Sequence, residues 1–215
     1  MNLKNILIWI GGLAATFILL FFAYKLTNNP QQSDYSSINL VRKDDHVKWS
    51  KENKNILLEY SDLQCPACKS FHDLLKGFES SASADFEITK KVTLVYRHFP
   101  LYSIHKNAMT AAYAAEAAGL QGKFWEMIDL QYSKQTQWSP LADPTNFFID
   151  LAKGLVLDVE KFKKDIASVE VKNKVQASLT EGESIGLNAT PTFFLNGKLV
   201  NARSINEFKN LLKSL

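Results

Sequence analysis

Cysteine is scarce in this chain: Cys65 and Cys68 are the only two in 215 residues. Two cysteines cannot build a multi-disulfide framework, and a structural bridge over so short a loop would stabilise little. A reactive pair is the better use of them. A dense block of basic charge is missing too. The formal net charge of +3 is shared among Lys, Arg, Asp and Glu along the whole chain, so nothing is laid out to track phosphates, and nucleic acid is not an expected partner. Between Ile6 and Tyr24 charge is absent altogether. That apolar run is close to the ~20 residues that cross a bilayer as a helix. At its end, Phe21-Phe22-Ala23 puts a bulky residue where a signal-peptide cleavage site needs a small one, and no cysteine follows it that could carry a lipid. The expectation is a retained single-pass anchor, the rival being a cleaved signal peptide. Lys4 on one side and Lys25, Arg42 and Lys43 on the other leave the positive-inside bias weak. The compartment follows from the chemistry: a stable catalytic disulfide belongs in an oxidising environment, which places the soluble domain outside the cytoplasm, at the cell membrane.

What is present centres on Glu59-Tyr60-Ser61-Asp62-Leu63-Gln64-Cys65-Pro66-Ala67-Cys68. Ile56-Leu57-Leu58 before it reads as a buried strand, and Phe71, Leu74, Leu75 and Phe78 after it recur at helical spacing. The cysteines therefore sit where a strand gives way to a helix. The first turn of a helix has unpaired N–H groups and the positive end of the dipole, and both favour a thiolate. Pro66 suits the first helical position, because it has no N–H to leave unpaired.

An apolar fraction of 46% is ample for a core, and the length fits one domain or one with an insertion. Residues 1–26 read as the anchor and 27–45 as a polar linker rich in Asn, Gln and Ser. A sheet domain begins over 46–102, with a short edge strand at Val47 and Trp49 and strands at Ile56–Tyr60 and Val92–Tyr96. Residues 103–186 are helical by periodicity, with an alanine helix closing at a left-handed cap on Gly119, Pro144 opening the next helix after Asp143, and starts at Asp158 and near Ser168. Over 187–215 strands return at Thr192–Leu195 and Lys198–Val200 around Asn196-Gly197, a strong hairpin signal. Ser204-Ile205-Asn206-Glu207 is a capping box for a last helix. The fold class is α/β, with a helical domain inserted into a small sheet domain.

That architecture around a Cys-x-x-Cys pair resembles the thioredoxin fold, and the insertion makes it similar to the DsbA family of thiol–disulfide oxidoreductases, in its membrane-tethered or Gram-positive-type members. The residues that carry the resemblance are Cys65-Pro66-Ala67-Cys68 together with Thr190-Pro191, supported by Tyr96–Leu101, Ala115–Gly119 and Gln121–Trp125. The resemblance implies a cis-proline at Pro191 facing the active site, Cys65 as the attacking sulfur and Cys68 as the resolving one. It also implies Glu59 as a buried acid that moves protons for Cys68, and the Thr190 backbone as the strip that pairs with an extended substrate. The single dithiol, the large insertion and the lack of an obvious dimerisation module favour a monomeric oxidase, acting on exported, cysteine-containing proteins, and the resemblance implies a quinone-linked membrane protein as redox partner. No cofactor is implied beyond the redox-active disulfide.

Other readings remain at this point. Pro66-Ala67 lacks the histidine of the strongest oxidants of this family and Thr190 stands where the best-known oxidase has valine, so a reductase or isomerase is the alternative to an oxidase. A tethered chaperone or binding module without turnover is a third. Cys65, Cys68 and His72 could face one metal from one helix, but zinc wants a fourth ligand, so no metal is expected. His46, His98 and His105 read as surface or capping residues. Asn188-Ala189-Thr190 matches a glycosylation acceptor but overlaps the proposed substrate loop.

Overall fold

The computed structural model describes residues 2–27, 35, 38, 40–52, 54–80 and 82–215. The chain divides into two compact units, residues 1–34 and 35–215. The first contains helix α1 (Leu3–Thr27). Its described side chains from Trp9 to Tyr24 are all exposed, the apolar Trp9, Leu13, Phe17 and Leu19 among them. The transmembrane span expected from Ile6 to Tyr24 is not found as such: a helix forms, but among the described residues none is long and apolar enough to cross a membrane.

The second unit is built on a five-stranded sheet of order β1-β3-β2-β4-β5. Its strands are β1 (His46–Trp49), β2 (Ile56–Ser61), β3 (Thr93–His98), β4 (Thr192–Leu195) and β5 (Lys198–Leu199). Only β2 and β3 run parallel; the other pairs are antiparallel. The crossover between β2 and β3 holds α2 (Pro66–Gly77) and α3 (Glu87–Lys91), the latter too short to show in the periodicity. Successive side chains on a strand point to opposite faces. Leu57, Leu94 and Phe193 therefore pack with Leu75, Phe78, Ile88, Phe208 and Leu212 on one face. Leu58, Tyr60, Val95 and Phe194 pack with Leu179, Phe99 and Ile38 on the other.

Between β3 and β4 lies the insertion: α4 (Ala108–Gly119), α5 (Phe124–Ser133), α6 (Gln135–Trp138), α7 (Thr145–Gly154), α8 (Val159–Ile166) and α9 (Val169–Ser184). Side chains cap it as the residue types dictate: Asp158 Oδ1 accepts from Lys161 N at 2.9 Å and Ser168 Oγ from Val171 N at 3.2 Å. Two sequence expectations shift. The left-handed glycine after α4 is Gly122, with φ 73°, not Gly119, which is the last helical residue. Pro144 is the residue before α7 and not its first, because the Asp143 carboxylate accepts from Thr145 N at 2.9 Å and sets the turn one residue later. The hairpin turn has Asn196 at φ 50° and Gly197 at φ 75°, the left-handed pair that matches strand twist. The last helix, α10 (Ile205–Lys213), starts with Ser204 Oγ accepting from Glu207 N at 3.1 Å.

Part of the expected linker is not a free tether. Residues 28–34, 36, 37 and 39 lie outside the described residues, but Ile38 is buried and Tyr35 packs on Phe194 with ring centroids 4.8 Å apart. Buried Arg97 of β3 draws this segment in, donating to the Ile38 and Leu40 carbonyls at 3.1 and 3.0 Å and to both Asp45 oxygens at 2.9 and 2.8 Å.

Candidate functional site

Cys65 occupies the N-cap of α2 in extended conformation, and Pro66 follows at the first turn. Pro66 and Ala67 are exposed, while Cys65 is 7% and Cys68 0% exposed. Neither sulfur is in a disulfide. Their environments differ sharply. The hydrogen bond from the Cys68 thiol is the largest influence on Cys65, and with N–H groups at the helix start it overcomes burial and brings Cys65 down to about 5. Burial pushes the Cys68 thiol well above its ordinary value, and the bond it gives to Cys65 adds to that. One sulfur is thus a thiolate at neutral pH and the other a protonated thiol.

The turn before Cys65 is pinned from several sides. Asp62 is fully buried as a side chain, and its carboxylate accepts from Gln64 N at 2.7 Å, Leu101 N at 2.8 Å and His105 Nδ1 at 2.7 Å. Its carbonyl accepts from Cys65 N at 3.1 Å, and its own N–H donates to Cys68 Sγ at 3.4 Å. From the insertion, Gln135 Nε2 donates to the Leu63 and Cys65 carbonyls at 2.8 and 3.0 Å. Gln64 is held between Asn107 N at 2.8 Å and the Ser139 carbonyl at 3.2 Å. A buried carbonyl left without a donor is costly, so these contacts fix the loop.

The five residues singled out from the sequence stand as follows. Glu59 lies on central strand β2, paired in register with Tyr96 and Phe193, and is 3% exposed. Burial raises its carboxyl to about 7, with the Ser61 hydroxyl opposing slightly, and its Oε1 has no hydrogen-bond partner. It lies on the α2 face of the sheet, like Leu57. Thr190 and Pro191 are joined by a cis peptide bond, and the Thr190 carbonyl lies 3.5 Å from Cys65 Sγ, which donates to it as a thiol. One face of the protein therefore holds Cys65, Cys68 and Thr190-Pro191, with Glu59 behind. The histidines differ from expectation. His98 is 2% exposed and pairs with buried Glu116 at 3.2 Å, His46 pairs with the same carboxylate at 2.9 Å, and His105 bonds Asp62. Each is inward because a buried carboxylate needs donors. His72 meets Asp129 at 3.0 Å and not the sulfurs. Among the described residues no group of three or more His, Cys, Asp or Glu is arranged to hold a metal ion.

Sequence reasoning missed Ser61, Asp62 and Tyr132. Ser61 was detectable as the residue two beyond Glu59 on one strand face. Tyr132 carries no sequence signal, since only the packing of α5 brings it to β2.

A family profile described as Thioredoxin matches residues 42–214. The chain belongs to the thioredoxin family. Among solved structures, alpha-DsbA1 of Wolbachia pipientis superposes with a TM-score of 0.69 at 20% identity, covering 84% of this chain and 95% of that one. BdbD of Bacillus subtilis gives 0.65 at 20%, over 78% and 90%. MdbA of Corynebacterium diphtheriae, described as a thiol-disulfide oxidoreductase, gives 0.60 at 18%, over 85% and 98%. This thioredoxin-family chain thus has the fold of DsbA-type proteins, insertion included. Curated relatives include a protein named Na(+)/H(+) antiporter NhaA 1 of Mycolicibacterium vanbaalenii, 32% identical over 199 residues, 87% of this chain and 30% of that protein. Its namesake in Salinispora arenicola is 34% identical over 158 residues, 72% of this chain and 22% of that protein. The chain spans less than a third of those relatives.

Proposed function

We propose that this protein is a thiol–disulfide oxidoreductase that introduces disulfides into exported, cysteine-containing proteins through the Cys65–Cys68 pair. The opposite environments of the two sulfurs support this most directly. In the oxidised protein a substrate thiolate attacks Cys65 Sγ. The Cys65–Cys68 bond breaks, its electron pair leaves on Cys68, and Cys68 takes a proton from Glu59. The substrate's second thiolate then attacks its own sulfur in the mixed disulfide and expels Cys65 as a thiolate. Two electrons have moved from the substrate to the protein.

Direction follows from the leaving group. A Cys65 thiol brought down to about 5 stabilises the reduced protein, and a stabilised reduced form makes the disulfide a stronger oxidant. The Thr190 backbone beside Cys65 offers an extended substrate a strip for main-chain pairing, which reads shape more than sequence. Attachment to the cell membrane through α1, with residues 35–215 outside the cytoplasm, completes the proposal. It is supported by the exposed apolar side chains from Trp9 to Tyr24. A quinone-linked membrane protein is the expected reoxidant.

The test mixes oxidised protein with a reduced, unfolded substrate and counts thiols. The expected result is loss of substrate thiols matched by gain of two on this chain, abolished by Cys65→Ser. Retention of all substrate thiols, with the substrate nevertheless bound, would replace the enzyme by a binding module.

A further inference from the structure

Behind Cys68 a pair of hydroxyls closes off the buried side of the site. Ser61 and Tyr132 are both 0% exposed, and their oxygens lie 3.0 Å apart with either able to donate. Tyr132 also donates to the Asp62 carbonyl at 3.4 Å, while the neighbouring Asp62 N–H donates to Cys68 Sγ at 3.4 Å. Alternation along β2 puts Ser61 on the same sheet face as Glu59, and its hydroxyl opposes the effect of burial on both the Glu59 carboxyl and the Cys68 thiol. Glu59 Oε1 is buried without a hydrogen-bond partner. A fully buried acid and a fully buried thiol cannot exchange protons through bulk water, so buried hydroxyls are the available carriers: Ser61, Tyr132 and, in register with Glu59 and without a hydrogen-bond partner, Tyr96.

We propose that Ser61 and Tyr132 are positioning residues that pass the proton between Cys68 and Glu59 and hold the Cys68 thiolate as it forms. The pair has two arrangements. In the mixed disulfide Cys65 is no longer a thiolate that takes the Cys68 proton; Tyr132 donates to the Asp62 carbonyl and Ser61 turns its hydroxyl to the Glu59 carboxylate, which leaves a Ser61 lone pair for the Cys68 S–H. With Cys68 as a thiolate, Tyr132 turns to donate to Ser61, and Ser61 donates to the sulfur beside the Asp62 N–H. The Asp62 carbonyl is not orphaned by this turn, because Cys65 N still donates to it at 3.1 Å. In the resolving direction the Ser61 hydroxyl gives its proton to the Glu59 carboxylate and takes the one on Cys68. Cys68 then attacks Cys65 Sγ of the mixed disulfide, and the partner sulfur departs as a thiolate with the bonding pair.

This inference rests on the thiol–disulfide reading, and one experiment separates the two. Reduced protein is mixed with 5,5′-dithiobis(2-nitrobenzoate) and the coloured thiolate is followed with time. Cys65 attack releases the first equivalent, and Cys68 attack on the mixed disulfide releases the second. Tyr132→Phe, which removes only the hydroxyl, and Ser61→Ala should each lower the second rate relative to the first by on the order of a hundredfold, the low end of what a positioned proton carrier contributes. Each should also remove the rise of the second rate around neutral pH, and the double variant should be no slower than Ser61→Ala, as members of one relay are non-additive. Wild-type rate ratios and pH profiles in both single variants, with only the melting temperature lowered, would overturn the relay. Failure of the wild type to release a second equivalent would instead overturn the thiol–disulfide reading itself.

Discussion

Glu59 is a carboxylic acid at a position where neither charge nor an unpaired oxygen is welcome. It is buried in the central strand, its carboxyl is raised to about 7, and one oxygen has no partner. In an unfolded chain the same group titrates near ~4.3, so between these values the folded protein holds a proton that the unfolded one has lost. Stability therefore falls as pH rises through this window, by on the order of 3 kcal/mol once neutral pH is passed. Glu59→Gln should be more stable than wild type at pH 8 by about that amount and indistinguishable from it at pH 4, as read from denaturant midpoints. An equal midpoint shift at both pH values would mean that the carboxyl is not titrating in the interior. The same substitution should slow release from the mixed disulfide at neutral pH, so the acid trades stability for proton transfer. The opposite slope is built into the cluster at Glu116. Burial raises this carboxyl, but hydrogen bonds from His46 and His98 hold it well below the usual range, and burial holds His46 below its ordinary value. Lys174 also contacts both Glu116 and His46 at 2.9 Å. Both lowered groups contribute stability that is lost as pH falls, first through His46 below ~6.5 and then through Glu116 under ~4.3. Glu116→Ala should cost about 3–5 kcal/mol at pH 7, because it leaves buried donors unpaired. A melting temperature within a degree of wild type would show that the cluster is not closed in solution.

At the scale of the element, local chemistry made much of the chain legible and tertiary contact decided the rest. Strand β2, the start of α2 at Pro66, the caps at Asp158, Ser168 and Ser204 and the Asn196-Gly197 hairpin follow from rules that act within a few residues. The short helices α3 and α6 did not, because five and four residues hold too little periodicity to read. Nor did the use of Tyr35, Ile38 and Asp45, in a stretch polar enough to pass for a linker, since only buried Arg97 explains why it docks. The five site residues that a motif could name were visible for the same reason that Tyr132 was not: motifs are local, and Tyr132 of the insertion reaches Ser61 only in the folded chain. Gly182, in the last turn of α9, is another case. A side chain there would come within 2.5 Å of Phe99 Cδ2, a ring that packs with Tyr60 under the sheet. Gly182→Ala should therefore destabilise by about 1–3 kcal/mol, although alanine favours helix by about 1 kcal/mol. A stabilised variant in urea titration would mean that Phe99 can move aside.

At the scale of the molecule, the sheet of residues 35–215, with helices on both faces, holds one thiolate sulfur beneath the exposed Pro66-Ala67 turn and one protonated sulfur deeper behind it, and the insertion fastens the loop before them through Gln135, Asn107 and Tyr132. That division of labour is the central claim, and it has a direct consequence at equilibrium. The protein is incubated in glutathione buffers of graded redox poise, quenched by acid and alkylated, and the masses are read. Cys65 and Cys68 should convert together, as an intrachain disulfide, at a potential well above the ≈ −270 mV of thioredoxin and toward the ≈ −120 mV of strong oxidants. A midpoint at or below that of thioredoxin, or a Cys65 that accumulates as a glutathione adduct without closing onto Cys68, would contradict it.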